Sequence, residues 1–331
     1  MPVPWPTQFD SPVLESLRPV VENSRHVHTS LEKIQEHAGW MAYEELPFPQ
    51  FLLPFGIGDD RARTIDFTLV STCLNFAFTD FESHQVFHVD LEGKRWWDAE
   101  GMFACLKRAH DEGVPVLDGR WLRSVRREDL ENLFRSPTAM PLLEERTEIL
   151  RQVGETLTER YDGYFHNFVE AHPPRLYAGG NGILERLVAE FPRFNDVSRM
   201  DGHEVKFYKL AQLGLWMLHC TPAGGFRLED IERMTAFADY IVPMALRFMN
   251  IITYSPELEA KIQGWQPIAR DSQEEIEIRA HSLYATALFT EEINQRRPAD
   301  RQIIIPQLDA RLWTHYHASF TPHHLTRTVM Y

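Results

Sequence analysis

The sequence predicts a mainly α protein with one small β-hairpin in its N-terminal third. Three observations carry that prediction. From residue 119 onward the apolar residues keep an almost wholly helical spacing, with Pro and Gly at the joints. One segment, HQVFHVDL followed by Glu92-Gly93 and KRWWDA, reads as two strands about a glycine turn. No GxGxxG, no P-loop and no strand–helix alternation is present, which argues against Rossmann dehydrogenases and P-loop NTPases.

The elements follow in order. The first ten residues read as an extended arm, with prolines at 2, 4 and 6 and another at 12. Residues 12–38 give one or two short helices, with Ser30 placed to cap the second. Residues 46–60, LPFPQFLLPFGIGDD, read as a Pro- and Gly-punctuated loop. Residues 64–80 fit either state: β-branched residues favour a strand, while Ile65, Leu69, Cys73 and Phe76 keep helical spacing. The hairpin comes next, then a helix over 98–112 that stops at Gly113 and Pro115. Further helices are expected over 120–135, 140–159, 162–171, 180–191, 205–219, 227–237, 240–252, 255–263, 272–296 and 306–319. The break RSPTAMP places a division near residue 136. It separates an α+β N-terminal domain with the hairpin (1–136) from a helical catalytic domain (137–331).

Composition narrows the function classes. The chain has 331 residues, 44% hydrophobic and 25% charged, as a globular protein does. No apolar run reaches the ~18 residues of a membrane helix. The N-terminus lacks the basic start and apolar core of a signal peptide, so a cytoplasmic protein without a membrane partner is expected. Cys73, Cys105 and Cys220 are too scattered for a disulfide framework or a zinc ribbon, and read as buried free thiols. With 34 basic and 48 acidic residues the net charge is −14. Such a chain is a poor partner for a polynucleotide, whose binding depends on neutralised phosphates. A single nucleotide needs only one or two placed cations.

Four stretches carry chemistry. In FRLEDIERMTAFADYIVP (226–243), Asp239 lies at a junction between helices. It either caps the following helix or is a carboxylate desolvated between Phe237 and Tyr240, aromatics that can stack a planar ring. In VKFYKLAQ (205–212), Lys209 follows two aromatics; it either snorkels to solvent or meets a ligand phosphate. In PQLDARLWTHYH (306–317), Asp309 stands beside an apolar stripe. It either pairs with Arg311 or Arg301 at the surface, or is buried and accepts two donors from a guanine-like edge. In DSQEEIEIRAH (271–281), Asp271 is expected to cap with Glu274 and Glu275, and Glu275 to pair with Arg279. Glu277 and His281 have metal-ligand spacing but no third ligand, and His315, His317, His323 and His324 form no specific metal pattern. Ser-His-Asp and Cys-His catalysis have no local signature.

Taken together, several strings resemble one family. They are ENSRHV (22–27), CLNFAF (73–78), DEGVP (111–115), MPLLEER (140–146), FYKLAQ (207–212), MTAFADYIVP (234–243), DSQEEIEIRAHSL (271–283), LDARLW (308–313) and the terminal MY. This set is similar to the queuosine salvage protein family and spans the chain from about residue 18 to its end. The resemblance implies an architecture like that of helical DNA glycosylases. It also implies hydrolysis of the N-glycosidic bond of queuosine 5′-monophosphate to queuine and ribose 5-phosphate, with no metal or organic cofactor. The matching catalytic residue is Asp239, and Asp309 matches a position that reads the base. Asp196, in FNDVS, matches a family aspartate without an assigned role. Phe237 and Tyr240 would flank the ligand, and Lys209 is the candidate for the 5′-phosphate. The partners implied are the small-molecule nucleotide and queuine, met by a monomer.

Two positions depart from the pattern. Thr314 follows Trp313 where an acid is expected, and Glu44 and Glu45 stand near an expected histidine; both positions bear on the base or its cyclopentenediol arm. The residues themselves leave two other readings open. One is a nucleosidase for another deazapurine or purine nucleotide. The other is a non-catalytic helical protein that binds nucleotides.

Overall fold

The computed structural model describes residues 3–50, 60–317, 319 and 322–331. Among these, the chain forms fourteen α-helices and three two-stranded antiparallel sheets. The expected arm is irregular over residues 3–11, and most of the expected 46–60 loop lies outside the described residues. Helix α1 (Pro12–Glu22) opens on a proline, whose missing N–H is harmless in a first turn. Strand β1 (Val27–Thr29) leads into α2 (Leu31–Met41), which Ser30 caps by accepting from the Lys33 amide at 3.3 Å. The ambiguous stretch is helix α3 (Arg61–Cys73), capped by Asp60. Ten consecutive residues of α3, Thr64–Cys73, are buried. A helix enclosed on all sides shows no polar stripe, hence the ambiguity.

The expected hairpin is present as β2 (His88–Leu91) and β3 (Lys94–Trp97). Its turn residues Glu92 and Gly93 have φ of 54° and 77°, the left-handed pair that two-residue hairpin loops favour. Helix α4 (Asp98–Asp111) stops as expected before Gly113, whose φ is 84°. The expected helix over 120–135 is two, α5 (Gly119–Leu122) and α6 (Arg127–Leu133), because the Asp129 carboxylate accepts the Arg126 amide at 2.9 Å and starts a new helix. Then come α7 (Leu143–Arg160), α8 (Phe165–Ala171) and α9 (Ile183–Glu190).

Three expectations need correction downstream. The helix expected from 205 begins later, because β4 (Val197–Met200) and β5 (His203–Lys206) form a second hairpin on Asp201-Gly202, with φ of 49° and 80°. Helix α10 (Lys209–Cys220) follows it. The helix expected over 227–237 is only a 3-10 turn at Ile231–Arg233 followed by extended chain. The helix expected over 240–252 stops early: α11 (Ile241–Phe248) gives way at Asn250, φ 56°, to β6 (Ile252–Tyr254). Next are α12 (Pro256–Gln263), α13 (Gln273–Asn294) and α14 (Ile305–Tyr316). None of the described helices is long and apolar enough to cross a membrane.

The chain groups into two compact units. The first comprises residues 1–49, 196–212 and 230–327. Its axis is α13, against which α1, α2, α11, α14, β1 and β6 pack, while β1 pairs with β6. Helix α13 is buried along almost its whole length, so its polar groups must be satisfied inside the protein. Glu277 accepts the amides of Arg25, His26 and Val27 at 2.6–3.0 Å. His281 sits between the hydroxyls of Ser24 and Thr29 at 2.7 and 2.8 Å. Thus Glu277 and His281 anchor the ENSRHV turn rather than a metal.

The second unit comprises residues 50–195, 213–229 and 328–331, and residue 136 lies within it. Helix α3 packs on α4 and α8, the first hairpin on α4, and α5 and α6 on α7. Helices α5 and α7 meet at Gly154, where a Cβ would fall 2.2 Å from the Arg123 nitrogen. Cys73, Cys105 and Cys220 are free and buried, and burial pushes their thiols up to about 12, 11 and 12.

Candidate active site

The residues singled out by sequence fall in the first unit, on the loop 234–240 and the elements around it. That loop is extended because side chains, not a helical ladder, take its amides. The Gln212 side-chain Oε1 accepts the Thr235 amide at 2.9 Å, and its Nε2 donates to the Phe207 carbonyl at 3.0 Å and to the Thr235 hydroxyl at 2.9 Å. Asp309, on α14, accepts the Phe237 amide through Oδ2 at 2.9 Å. These bonds displace the helix expected over 227–237. They also correct the surface reading of Asp309: Arg311 pairs with Glu44 instead, and Arg301 with Glu45.

Asp239 stands at the end of this loop, immediately before Tyr240 and α11. Its Oδ1 accepts the amides of Ile241 and Val242 at 2.8 and 3.0 Å, so it caps the helix as one of its two readings expects. Among the described residues Oδ2 accepts no hydrogen bond. Capping and a free carboxylate oxygen therefore coexist in one side chain.

Asp239, Asp309 and Lys209 are 7%, 3% and 5% exposed, and their charges act on one another. Burial raises the carboxyl of Asp239 above its ordinary value, while Lys209, the two helix amides and Arg279 pull it back. Asp309 is raised well above the ordinary value, first by burial and then by the charge of Asp239, against the Phe237 amide and Lys209. Two carboxylates and one ammonium thus share a water-poor site, in which a single added proton is shared unequally.

Asp196 is committed elsewhere. Arg279 of α13 grips it with both nitrogens, Nη1 to Oδ1 at 3.0 Å and Nη2 to Oδ2 at 2.5 Å. The expected pairing of Glu275 with Arg279 is present at 3.7 Å, but in the core rather than on a helix surface. The cap of α13 is Ser272, which accepts the Glu275 amide at 3.3 Å; Asp271 instead donates its own amide to Glu275. Ser272 takes the cap because Asp271, at φ 59°, lies outside the extended backbone that a cap residue adopts.

Phe237 is buried and Tyr240 half-buried. Tyr240 stacks on His323 at 4.5 Å between centroids, and His323 meets Trp265 edge-on at 5.3 Å. Thr314 is exposed, five positions along α14 from Asp309 and so on another face of that helix. Sequence reasoning overlooked Arg279 as a partner of Asp196, and read His323 and His324 only as metal candidates. His324 is buried, and burial with the positive neighbours His323 and Arg279 pushes its imidazole down to about 3. No group of three or more His, Cys, Asp or Glu among the described residues is arranged to hold a metal ion.

Comparison with known proteins gives a consistent result. A family model described as queuosine salvage protein matches residues 56–331. A protein of Sphaerobacter thermophilus named queuosine 5′-phosphate N-glycosylase/hydrolase is 30% identical over 326 residues, which cover 96% of this chain and 97% of that one. A mouse protein of the same name is 28% identical over 341 residues, covering 96% and 98%. One of Schizosaccharomyces pombe is 28% identical over 249 residues, covering 70% of each.

Proposed function

The chain belongs to the queuosine salvage protein family, and from that premise we propose that it hydrolyses the N-glycosidic bond of queuosine 5′-monophosphate, with Asp239 at the anomeric carbon. The bond between C1′ and the base nitrogen breaks. Water gives its hydroxyl to C1′ and a proton to the base, leaving ribose 5-phosphate and queuine. The ribosyl centre gains positive charge as the bond lengthens, and a fixed carboxylate lowers that barrier.

The observation that carries this reading is the division of labour in Asp239. Two backbone amides fix Oδ1, so the side chain cannot swing, while Oδ2 is left to face a developing cation or its water. Asp309, fixed by the Phe237 amide, is assigned to the donor edge of the base. Lys209 is assigned to the 5′-phosphate, and its charge also favours the ionised form of Asp239. Tyr240, stacked on His323, is assigned to the ligand's flank, as is Phe237. Asp196 supports the site from behind through Arg279, and Thr314 is assigned no contact. A net charge of −14 supports a free mononucleotide over RNA, and the protein is taken to act as a cytoplasmic monomer.

The test is chromatographic detection of queuine after mixing purified protein with queuosine 5′-monophosphate, beside Asp239→Asn. The wild type is expected to release queuine. The variant should lose roughly 10²–10⁴-fold in kcat, the range for a group acting directly on the reacting centre. Release by both at equal rate removes Asp239 from the chemistry; release by neither rejects the reaction.

A further inference from the structure

Arg279 makes more connections to the site than its burial requires. It is 2% exposed on α13 and lies with its guanidinium carbon 3.9 Å from the centroid of the Phe207 ring. Its two terminal nitrogens hold Asp196, and its Nε donates to the Ala238 carbonyl at 3.2 Å. That carbonyl precedes Asp239 by one residue. One planar group thus ties α13 to two other segments, which a lysine ammonium cannot copy because its donors are not coplanar.

The second segment leads to Lys209. The Asp196 backbone oxygen accepts the Phe207 and Tyr208 amides at 3.0 and 3.1 Å, and its Oδ2 accepts the Lys209 amide at 3.2 Å. Tyr208 has φ 49°, a left-handed conformation rare for a tyrosine. Three consecutive amides on one aspartate hold that turn, and the turn aims the first residue of α10. Arg279 in turn holds the aspartate.

We propose that Arg279 is a positioning residue for the reaction, fixing through Asp196 and the Ala238 carbonyl the two backbone segments that present Lys209 and Asp239. This rests on the reaction proposed above. Arg279 does not touch the substrate; it sets where the groups that do so stand. Among the described residues, the charged groups that act on Asp239 are Lys209 from α10, Arg279 from α13 and Asp309 from α14, with His323 stacked on the adjoining Tyr240 and the buried His324 feeling the charge of Arg279.

The experiment compares wild type, Arg279→Lys, Arg279→Gln and Asp196→Asn for queuine release across pH, with thermal unfolding of each. Arg279→Lys keeps a charge but loses the planar fork. Its kcat should fall on the order of 10²-fold, as a displacement of about 1 Å does, and KM for queuosine 5′-monophosphate should rise as Lys209 shifts from the phosphate. Arg279→Gln should fall further, and the acid limb of its kcat profile should move to higher pH, because the positive charge favouring ionised Asp239 is gone. A folded Arg279→Lys with wild-type kcat overturns the proposal. So does an Arg279→Gln whose acid limb stays in place. If the glutamine variant does not fold, Asp196→Asn decides: it keeps the size and acceptor but weakens the ion pair, and an unchanged kcat overturns the proposal. A wild type that releases no queuine refutes the reaction itself, whatever the variants do.

Discussion

Asp239 and Asp309 are both buried and close enough for their charges to interact, yet their carboxyls are raised unequally. Asp309 resists ionisation more, because the charge of Asp239 adds to its desolvation. A guanine-like edge presents donors, and donors favour the ionised form. Binding of the base is therefore expected to release a proton from Asp309, and affinity should weaken as pH falls. Calorimetry of queuine binding in two buffers of different ionisation enthalpy reads this directly; equal heats in both, or a proton release that survives Asp309→Asn, would contradict it. Lys209→Ala should cost more with queuosine 5′-monophosphate than with the unphosphorylated nucleoside. Equal losses in kcat/KM on the two substrates would reject its phosphate role and leave it as the counter-charge of the aspartates. Much of this was legible locally: Asp239 before an apolar helix and Asp309 beside an apolar stripe are visible in the sequence. The grip of Arg279 on Asp196 was not, because no local pattern links residues 83 apart in the chain.

At the level of elements, the helices were read well where one face meets solvent, since the apolar period then records the buried side. Helix α3 was ambiguous for the opposite reason, being enclosed on every side. The second hairpin carried a legible signal, Asp201-Gly202 between short alternating stretches, but the apolar run that follows it absorbed its second strand into a helix. The false helix over 227–237 has a different cause. Its composition is compatible with a helix, but Gln212 and Asp309 take its amides from outside. The anchoring of α13 gives an element-level prediction. Ser272→Ala removes one cap acceptor and should cost about 0.5–2 kcal/mol. Glu277→Ala leaves the buried Val27 amide and two half-buried amides without their acceptor and should cost more, at about 1–3 kcal/mol for the buried donor alone. Urea unfolding of the two variants compares them, and an equal cost would show that the ENSRHV turn does not depend on Glu277.

For the molecule as a whole, buried imidazoles lower stability in acid, against the buried carboxyls of Asp239 and Asp309, which favour the folded state as they take up protons. His281 and His324 are both pushed down to about 3 from an ordinary value of 6.5, by burial first. Their neutral forms are the folded ones, so this stability is fully present above about pH 6.5 and is lost as the unfolded chain takes up protons below it. Each should add a slope of up to ~1.4 kcal/mol per pH unit between those values. Between pH 7.5 and pH 5 the urea midpoint should fall more steeply in wild type than in His281→Gln; equal slopes would remove that ring from the acid response.

The bond between the Phe237 amide and Asp309 spans 72 residues of chain. A ribosome delivers the loop that carries Asp239 well before the carboxylate that orders it. The conformation of that loop therefore waits on the last helix, although the loop itself is made 72 residues earlier.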